Sequence, residues 1–301
     1  MKTQTQKRES MKYLAFLCNA KICLILAMII NLCIVETIEA ATQQLRTTNN
    51  RLFITISVNG VTTEALLDSG AEMSLIDGLF ADTLSLNLNG SQIAKGTGGS
   101  QKVQFASGVN FDILDVKLLN RNVAVLDLSD ISKRIIGKPV KVIVGREFFD
   151  SARIQLSFRD KSISTVKKDL IPSGAELPLT NSHGIKQFPL QFENSAKVLA
   201  DFDLGNGSEV LIGAKYATKN NLLTPARLIG KKPGGGIGGS IERNLVMLKK
   251  INIAGKDFSS ITAAIDPTDN AADINVGVSI LKSFDITVDF SENRLWLLPI
   301  D

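Results

Sequence analysis

One pattern occurs twice in this chain. An apolar run reads into an aspartate at Ala65-Leu66-Leu67-Asp68-Ser69-Gly70-Ala71, and Val142-Ile143-Val144-Gly145 follows, with Gly145 77 positions after Asp68. The second copy is Leu199-Ala200-Asp201-Phe202-Asp203-Leu204-Gly205-Asn206, then Ile274-Asn275-Val276-Gly277, with Gly277 74 positions after Asp203. A repeat of this kind restricts the chain to two similar lobes rather than one large core. It also gives each lobe one aspartate at the same place, so a pseudo-twofold arrangement brings two carboxylates together.

The first 40 residues read as a separate targeting segment. Lys2, Lys7, Arg8, Lys12 and Lys21 precede an apolar run from Ile22 to Val35, and small residues follow at Ala40-Ala41. A basic flank, an apolar stretch of about 7–15 residues and small residues at its end describe a signal peptide. The run is short for a membrane span of about 20 residues, so a membrane role is expected only through an uncleaved signal anchor. Cys18, Cys23 and Cys33 all lie in this segment. The remaining chain therefore has no disulfide framework and no cysteine metal site or nucleophile, and the expected location is secreted or periplasmic. The segment holds five basic and three acidic residues, so removing it lowers the net charge from +4 to +2. No broad basic field remains to argue for nucleic acid.

Each lobe opens with period-two alternation, the signature of half-buried strands. Leu52, Ile54, Ile56 and Val58 share a face, Asn59-Gly60 supplies a two-residue hairpin turn, and Thr62 to Leu67 returns to Asp68. In the second lobe Phe188, Leu190 and Phe192 alternate, Glu193-Asn194-Ser195 turns, and Val198, Ala200 and Phe202 lead to Asp203. The lobes also end alike, in Ile154–Phe158 with Ser162–Ser164 and in Ile286–Phe290 with Leu295–Leu297. Single helical turns are expected at Ser74–Phe80, near Arg146–Asp150 and near Val278–Lys282. The expected boundaries are 1–40 for the signal peptide, 41–170 for the first lobe, 171–186 for a linker and 187–301 for the second lobe. The fold class is mostly β, a bilobal pseudo-twofold β-barrel fold with few short helices.

An Asp-Ser-Gly tripeptide alone says little, because turns favour all three residues. Here apolar segments flank it on both sides, which holds the aspartate rigidly, partly removes it from water and raises its pKa. With both copies in place, the chain resembles the aspartic proteases of the pepsin and retropepsin fold, closest to bacterial retropepsin-like proteins with two tandem lobes. That resemblance implies that Asp68 and Asp203 are the catalytic pair. It implies that Gly70 and Gly205 permit the tight loops, that Ser69 links the loops through its hydroxyl, and that the two apolar-Gly motifs pack beneath them. Leu204 departs from the pattern, since a Thr or Ser is expected there, and Leu204→Thr would restore a hydroxyl. Asn275 likewise interrupts the second apolar motif.

Two glycine-rich stretches fit flaps: Gly96-Thr97-Gly98-Gly99-Ser100 and Gly234-Gly235-Gly236-Ile237-Gly238-Gly239-Ser240. Thr97, Gly98, Gly99, Gly236, Ile237 and Gly238 are the candidate substrate-binding residues. No Gly-Lys-Ser/Thr follows either stretch, so neither reads as a phosphate loop. His183 is the only histidine and lies in the linker, which leaves no Ser-His-Asp triad with a nucleophile elbow and no His/Cys zinc site. Asp112, Asp115 and Asp127 read as solvated, and Asp289 as structural. The expectation is an aspartic endopeptidase acting on a peptide or protein substrate as a monomer, with neither metal nor cofactor. The alternative is an inactive peptide-binding relative, motivated by the Asp-Leu-Gly loop.

Overall fold

The computed structural model describes residues 41–300 apart from Asn194 and Glu209, so the expected signal peptide lies outside the described residues. The first lobe begins with β1 (Thr42–Gln44), β2 (Arg46–Thr48), β3 (Arg51–Val58), β4 (Val61–Leu67) and β5 (Leu75–Asp77), then α1 (Gly78–Thr83). It continues with β6 (Leu88–Gly96), β7 (Gly99–Ile113), β8 (Val116–Leu126), α2 (Ser129–Ile131), a π-helical turn (Ser132–Ile136), β9 (Val142–Val144), α3 (Arg146–Ser151), β10 (Ile154–Ser157) and β11 (Ser162–Thr165). The second lobe comprises β12 (Ala175–Pro178), β13 (Thr180–Ser182), β14 (Ile185–Phe192), β15 (Lys197–Asp203), β16 (Val210–Gly213) and α4 (Ala214–Lys219). It ends with β17 (Leu228–Gly236), β18 (Gly239–Ile253), β19 (Lys256–Asp266), β20 (Ile274–Gly277), α5 (Val278–Leu281), β21 (Phe284–Asp289) and β22 (Arg294–Pro299).

The two lobes have one topology. The first sheet runs β2-β3-β4-β9-β5-β8-β7-β6 and the second β13-β14-β15-β20-β16-β19-β18-β17, with extra pairings β3–β7 and β14–β18 that begin to close each into a barrel. A third sheet, β1-β11-β10-β21-β22-β12, takes strands from both halves. Its centre is the antiparallel pair β10–β21, where Ile154 faces Val288 and Leu156 faces Ile286. The fold is therefore mostly β and bilobal, as the repeat predicts.

Local chemistry accounts for the elements. Asn59 and Gly60 both have positive φ, 47° and 82°, the twist that a two-residue hairpin needs. Leu52, Ile54, Ile56 and Val58 are all buried. A chain of rings joins the lobes beneath the aspartate loops. Phe149 meets Phe290 at 5.5 Å, Phe290 meets Phe202 at 6.3 Å, and Phe202 meets Phe188 at 6.4 Å. Asp289 is buried and structural. It accepts from Arg153 Nε at 3.1 Å, Ser291 Oγ at 2.7 Å and Glu292 N at 3.0 Å.

Three local expectations need correction. The turn expected at Ser74–Phe80 is split. Leu75 and Ile76 pair with Ile143 and Val142 and, on the other side, with Ala124 and Val125. The helix starts only at Gly78, capped by Asp77 Oδ1, which accepts from Leu79 N at 3.1 Å. Helix α4 and the π-helical turn add to the three single turns expected from sequence. The 171–186 segment is not plain linker, because it contributes β12, β13 and the first residues of β14. β12 is the edge strand on β22, with Pro178 opposite Arg294, and an edge is where a strand tolerates proline.

Candidate active site

Asp68 and Asp203 end equivalent strands, and each is held by its own loop. Asp68 Oδ1 accepts from Gly70 N at 2.9 Å and Ala71 N at 3.1 Å. Asp203 Oδ1 accepts from Gly205 N at 2.9 Å and Asn206 N at 3.1 Å. The apolar-Gly strands lie alongside. β9 runs parallel to β4, with Leu66 opposite Ile143, and Asp68 N donates to Val144 O at 2.9 Å. β20 runs parallel to β15, with Asp201 opposite Asn275 and Asp203 opposite Gly277.

The loops face each other across the pseudo-twofold axis. A Cβ on Gly70 would lie 3.2 Å from Asp203 Oδ1, and a Cβ on Gly205 would lie closer to Asp68 Cγ than real atoms approach. Glycine at these two places is what allows both carboxylates into one site. The structure thus brings Asp68, Ser69, Gly70, Asp203, Leu204 and Gly205 together.

The two halves then differ in a complementary way. Ser69 is buried, donates through Oγ to Phe202 O at 2.9 Å and accepts from Leu204 N at 2.9 Å. Leu204 makes no such link and is fully buried in the apolar core. Asn275 replaces an apolar residue, and its Nδ2 donates to Asp203 Oδ2 at 2.8 Å. Reading Asn275 only as a weakened apolar motif misses this bond. An amide opposite the strand that ends in the aspartate is the sequence signal that could have found it.

Electrostatics follow from burial and proximity. Burial, and then the charge of Asp203, push Asp68 up to about 7, against the Gly70 and Ala71 donors and Arg51. Burial also raises Asp203, opposed by Asn275, Asn206, Gly205 and Arg51. Asp201 is raised to about 6, chiefly by burial. Arg51 is buried and lowered by that burial, while Asp203 and Asp68 pull it back up. Two desolvated carboxyl groups that act on each other share their protons as a pair, and each resists ionising while the other is charged. That pairing can activate a water and polarise a carbonyl at once.

The flap candidates sit at two hairpin tips. Thr97 and Gly98 join β6 to β7, with Gly99 opening β7, and Ile237 and Gly238 join β17 to β18, with Gly236 closing β17. The tips interlock by backbone. Gly98 N donates to Ile237 O at 3.1 Å, and a side chain on Gly98 would overlap Gly239 O. Two arginines brace them. Arg243 Nη2 donates to Thr97 O at 3.3 Å, and Arg134 donates to Gly234 O at 3.3 Å and Gly236 O at 3.0 Å.

A cavity of about 1310 Å³ is lined by first-lobe residues including Val61, Asp77, Leu79 and Lys141, and neither aspartate reaches it. A smaller one of about 210 Å³ lies by Arg51, Arg134, Ser208 and Lys232, next to the second aspartate loop and its flap. Among the described residues no cluster of three or more His, Cys, Asp or Glu could hold a metal ion. No helix among them is long and apolar enough to cross a membrane. Asp112, Asp115 and Asp127 are exposed.

Residues 54–148 match the family model described as aspartyl protease. The match includes Asp68-Ser69-Gly70 and Ile143-Val144-Gly145 and supports an aspartic protease family for this chain. The second lobe lies outside the matched residues and repeats the topology of the first. A search of curated proteins returned no match.

Proposed function

We propose that this protein is an aspartic endopeptidase that hydrolyses peptide bonds with Asp68 and Asp203 as its catalytic pair. The observation that carries the reading is the approach of the two loops, which leaves no room for a Cβ on Gly205 against Asp68. One carboxylate takes a proton from water as the water oxygen adds to the scissile carbonyl, and the protonated partner gives its proton to the carbonyl oxygen. When the C–N bond breaks, the first carboxyl protonates the amine and the second recovers its proton. The interlocked flaps form a lid that must part to admit a peptide. The N-terminal segment fits export, so the working location is secreted or periplasmic.

Leu204 does not oppose activity, because the single hydroxyl of Ser69 supplies both a donor and an acceptor between the loops. The test is cleavage of a peptide library across pH, read by mass spectrometry, with a hydroxyethylene peptide isostere as inhibitor. Cleavage blocked by the isostere and by Asp68→Asn is expected. Isostere binding without cleavage at any pH would make the protein a peptide-binding relative instead.

A further inference from the structure

We propose that Asn275 is a positioning residue that makes Asp203 the ionised member of the pair and leaves the proton on Asp68. This rests on the peptidase reading for its consequence but not for its geometry.

Three hydrogen bonds run in one direction. Ser208 N donates to Asn206 Oδ1 at 2.9 Å, Asn206 Nδ2 donates to Asn275 Oδ1 at 2.9 Å, and Asn275 Nδ2 donates to Asp203 Oδ2 at 2.8 Å. Each bond sets the next. A backbone N–H can only donate, so Asn206 turns its oxygen toward Ser208 and its amino group toward Asn275. The oxygen of Asn275 is thereby occupied, and its amino group faces the carboxylate. A donor of this kind favours the charged form of the acid it meets.

The first lobe has no counterpart. Ile143 holds the place of Asn275, opposite Leu66 rather than Asp201, and Ala71 holds the place of Asn206. Neither side chain can donate a hydrogen bond. The loop donors to the two aspartates match at 2.9 Å and 3.1 Å on each side, so the Asn275 bond is what distinguishes them.

The charged neighbours do not reverse this. Arg51 draws both aspartates down. Asp201 lies two residues before Asp203, with Gln187 Nε2 donating to its Oδ1 at 2.8 Å, the Asn275 side chain also bonded to it, and the charges of Asp203 and His183 acting on it. Burial keeps Asp201 protonated in acid, where it adds no competing charge. Asp203 is then the base that takes the proton from water, and the Asp68 proton goes to the carbonyl oxygen as the C–O bond forms.

The test combines the pH profile of kcat/KM with carboxyl-carbon NMR titration of the intact protein, assigned with Asp68→Asn and Asp203→Asn. In the wild type, Asp203 should titrate below Asp68. Asn275→Val gives the second lobe an apolar residue like that of the first. It should raise the acid limb by about one pH unit, since a hydrogen bond to a charged group is lost. Asn206→Ala, which frees the Asn275 amide to turn, should move the limb in the same direction by less and stands in if Asn275→Val fails to fold. A merely structural asparagine would lower kcat and leave the limb in place. An unmoved limb with unmoved carboxyl titrations overturns the proposal, as does an Asp68 that titrates first. If no peptide is cleaved while the NMR shift occurs, the proton assignment stands and the peptidase reading falls.

Discussion

The hydroxyl of Ser69 donates to the carbonyl of Phe202 and accepts from the amide of Leu204, both at 2.9 Å. One side chain from the first lobe thus fixes the backbone on either side of Asp203. Ser69→Ala leaves a buried carbonyl and a buried N–H without this partner, a loss of about 2 kcal/mol. A drop in thermal midpoint together with at least tenfold slower cleavage is expected, and Ser69→Thr should keep most of both. The reciprocal change does not follow by symmetry. Leu204 is fully buried among apolar side chains, so Leu204→Thr removes packing and buries a hydroxyl, a cost of about 2 kcal/mol. Leu204→Thr would restore a hydroxyl at this place, but packing around the leucine opposes it, and the predicted outcome is a loss of stability without gain in rate.

Asp68→Asn and Asp203→Asn should each abolish cleavage, since an amide cannot serve as base. The double variant should be little worse than either single one, because the pair acts as a unit. Steady-state rates of the three variants, with circular dichroism to verify the fold, check this. Either single variant within tenfold of wild type would remove that residue from the chemistry.

The raised pKa of Asp68 has a consequence for stability. Its folded value, about 7, lies above that of an unfolded aspartate, so the folded state binds the proton more tightly. The associated stability is fully present below about pH 4 and is lost as pH rises through about 7. Asp68→Asn cannot ionise and avoids that loss. Its stability relative to wild type should improve by about 4 kcal/mol between about pH 4 and about pH 7.5. Urea unfolding at several pH values measures it, and a difference independent of pH would contradict the burial argument.

Both aspartates belong to one chain, and β10 of the first lobe pairs directly with β21 of the second. Specific activity should accordingly be unchanged on dilution from micromolar to nanomolar enzyme, whereas a site built from two copies dissociates by mass action. Activity that falls with dilution would mean that two copies of Asp68 make the site.

The sequence revealed what local patterning controls. Alternation at Leu52, Ile54, Ile56 and Val58, the Asn59-Gly60 turn and the two aspartate loops are each encoded within a few residues, and the repeat supplied the relation between lobes. What stayed hidden depends on distant partners. Leu75–Asp77 is too short to show a period and is a strand only because β8 and β9 flank it. Ala175–Pro178 reads as a polar connection and becomes a strand through pairing with Leu297–Arg294. Asn275 reads as a flaw in an apolar motif until Asp203 is seen 2.8 Å from its amide. Arg51, Arg134 and Arg243 carry no local motif; Arg134 and Arg243 gain their roles from flap carbonyls brought to them by the fold, and Arg51 from the two aspartates whose charges act on it.

Arg134 offers the sharpest test of the flaps as a working lid. It sits in the π-helical turn of the first lobe, where Asp130 accepts from its Nη2 at 2.6 Å. The same guanidinium reaches across to Gly234 O and Gly236 O in the second-lobe flap. Its planar fork spreads donors from Nε, Nη1 and Nη2 over the acid and both carbonyls, a geometry that the three donors of a single-point ammonium do not reproduce. Arg134→Gln should release the second flap while leaving the aspartate loops unchanged. Amide exchange from Gly234 to Gly239 should quicken while the Gly205 and Asn206 amides keep their protection. KM should rise about fivefold, as expected for losing about 1 kcal/mol of lid closure over a bound peptide, with kcat altered much less. Arg134→Lys should resemble Arg134→Gln rather than wild type. Unchanged exchange at the flap, or a fall in kcat without a rise in KM, would show that this arginine does not hold the lid.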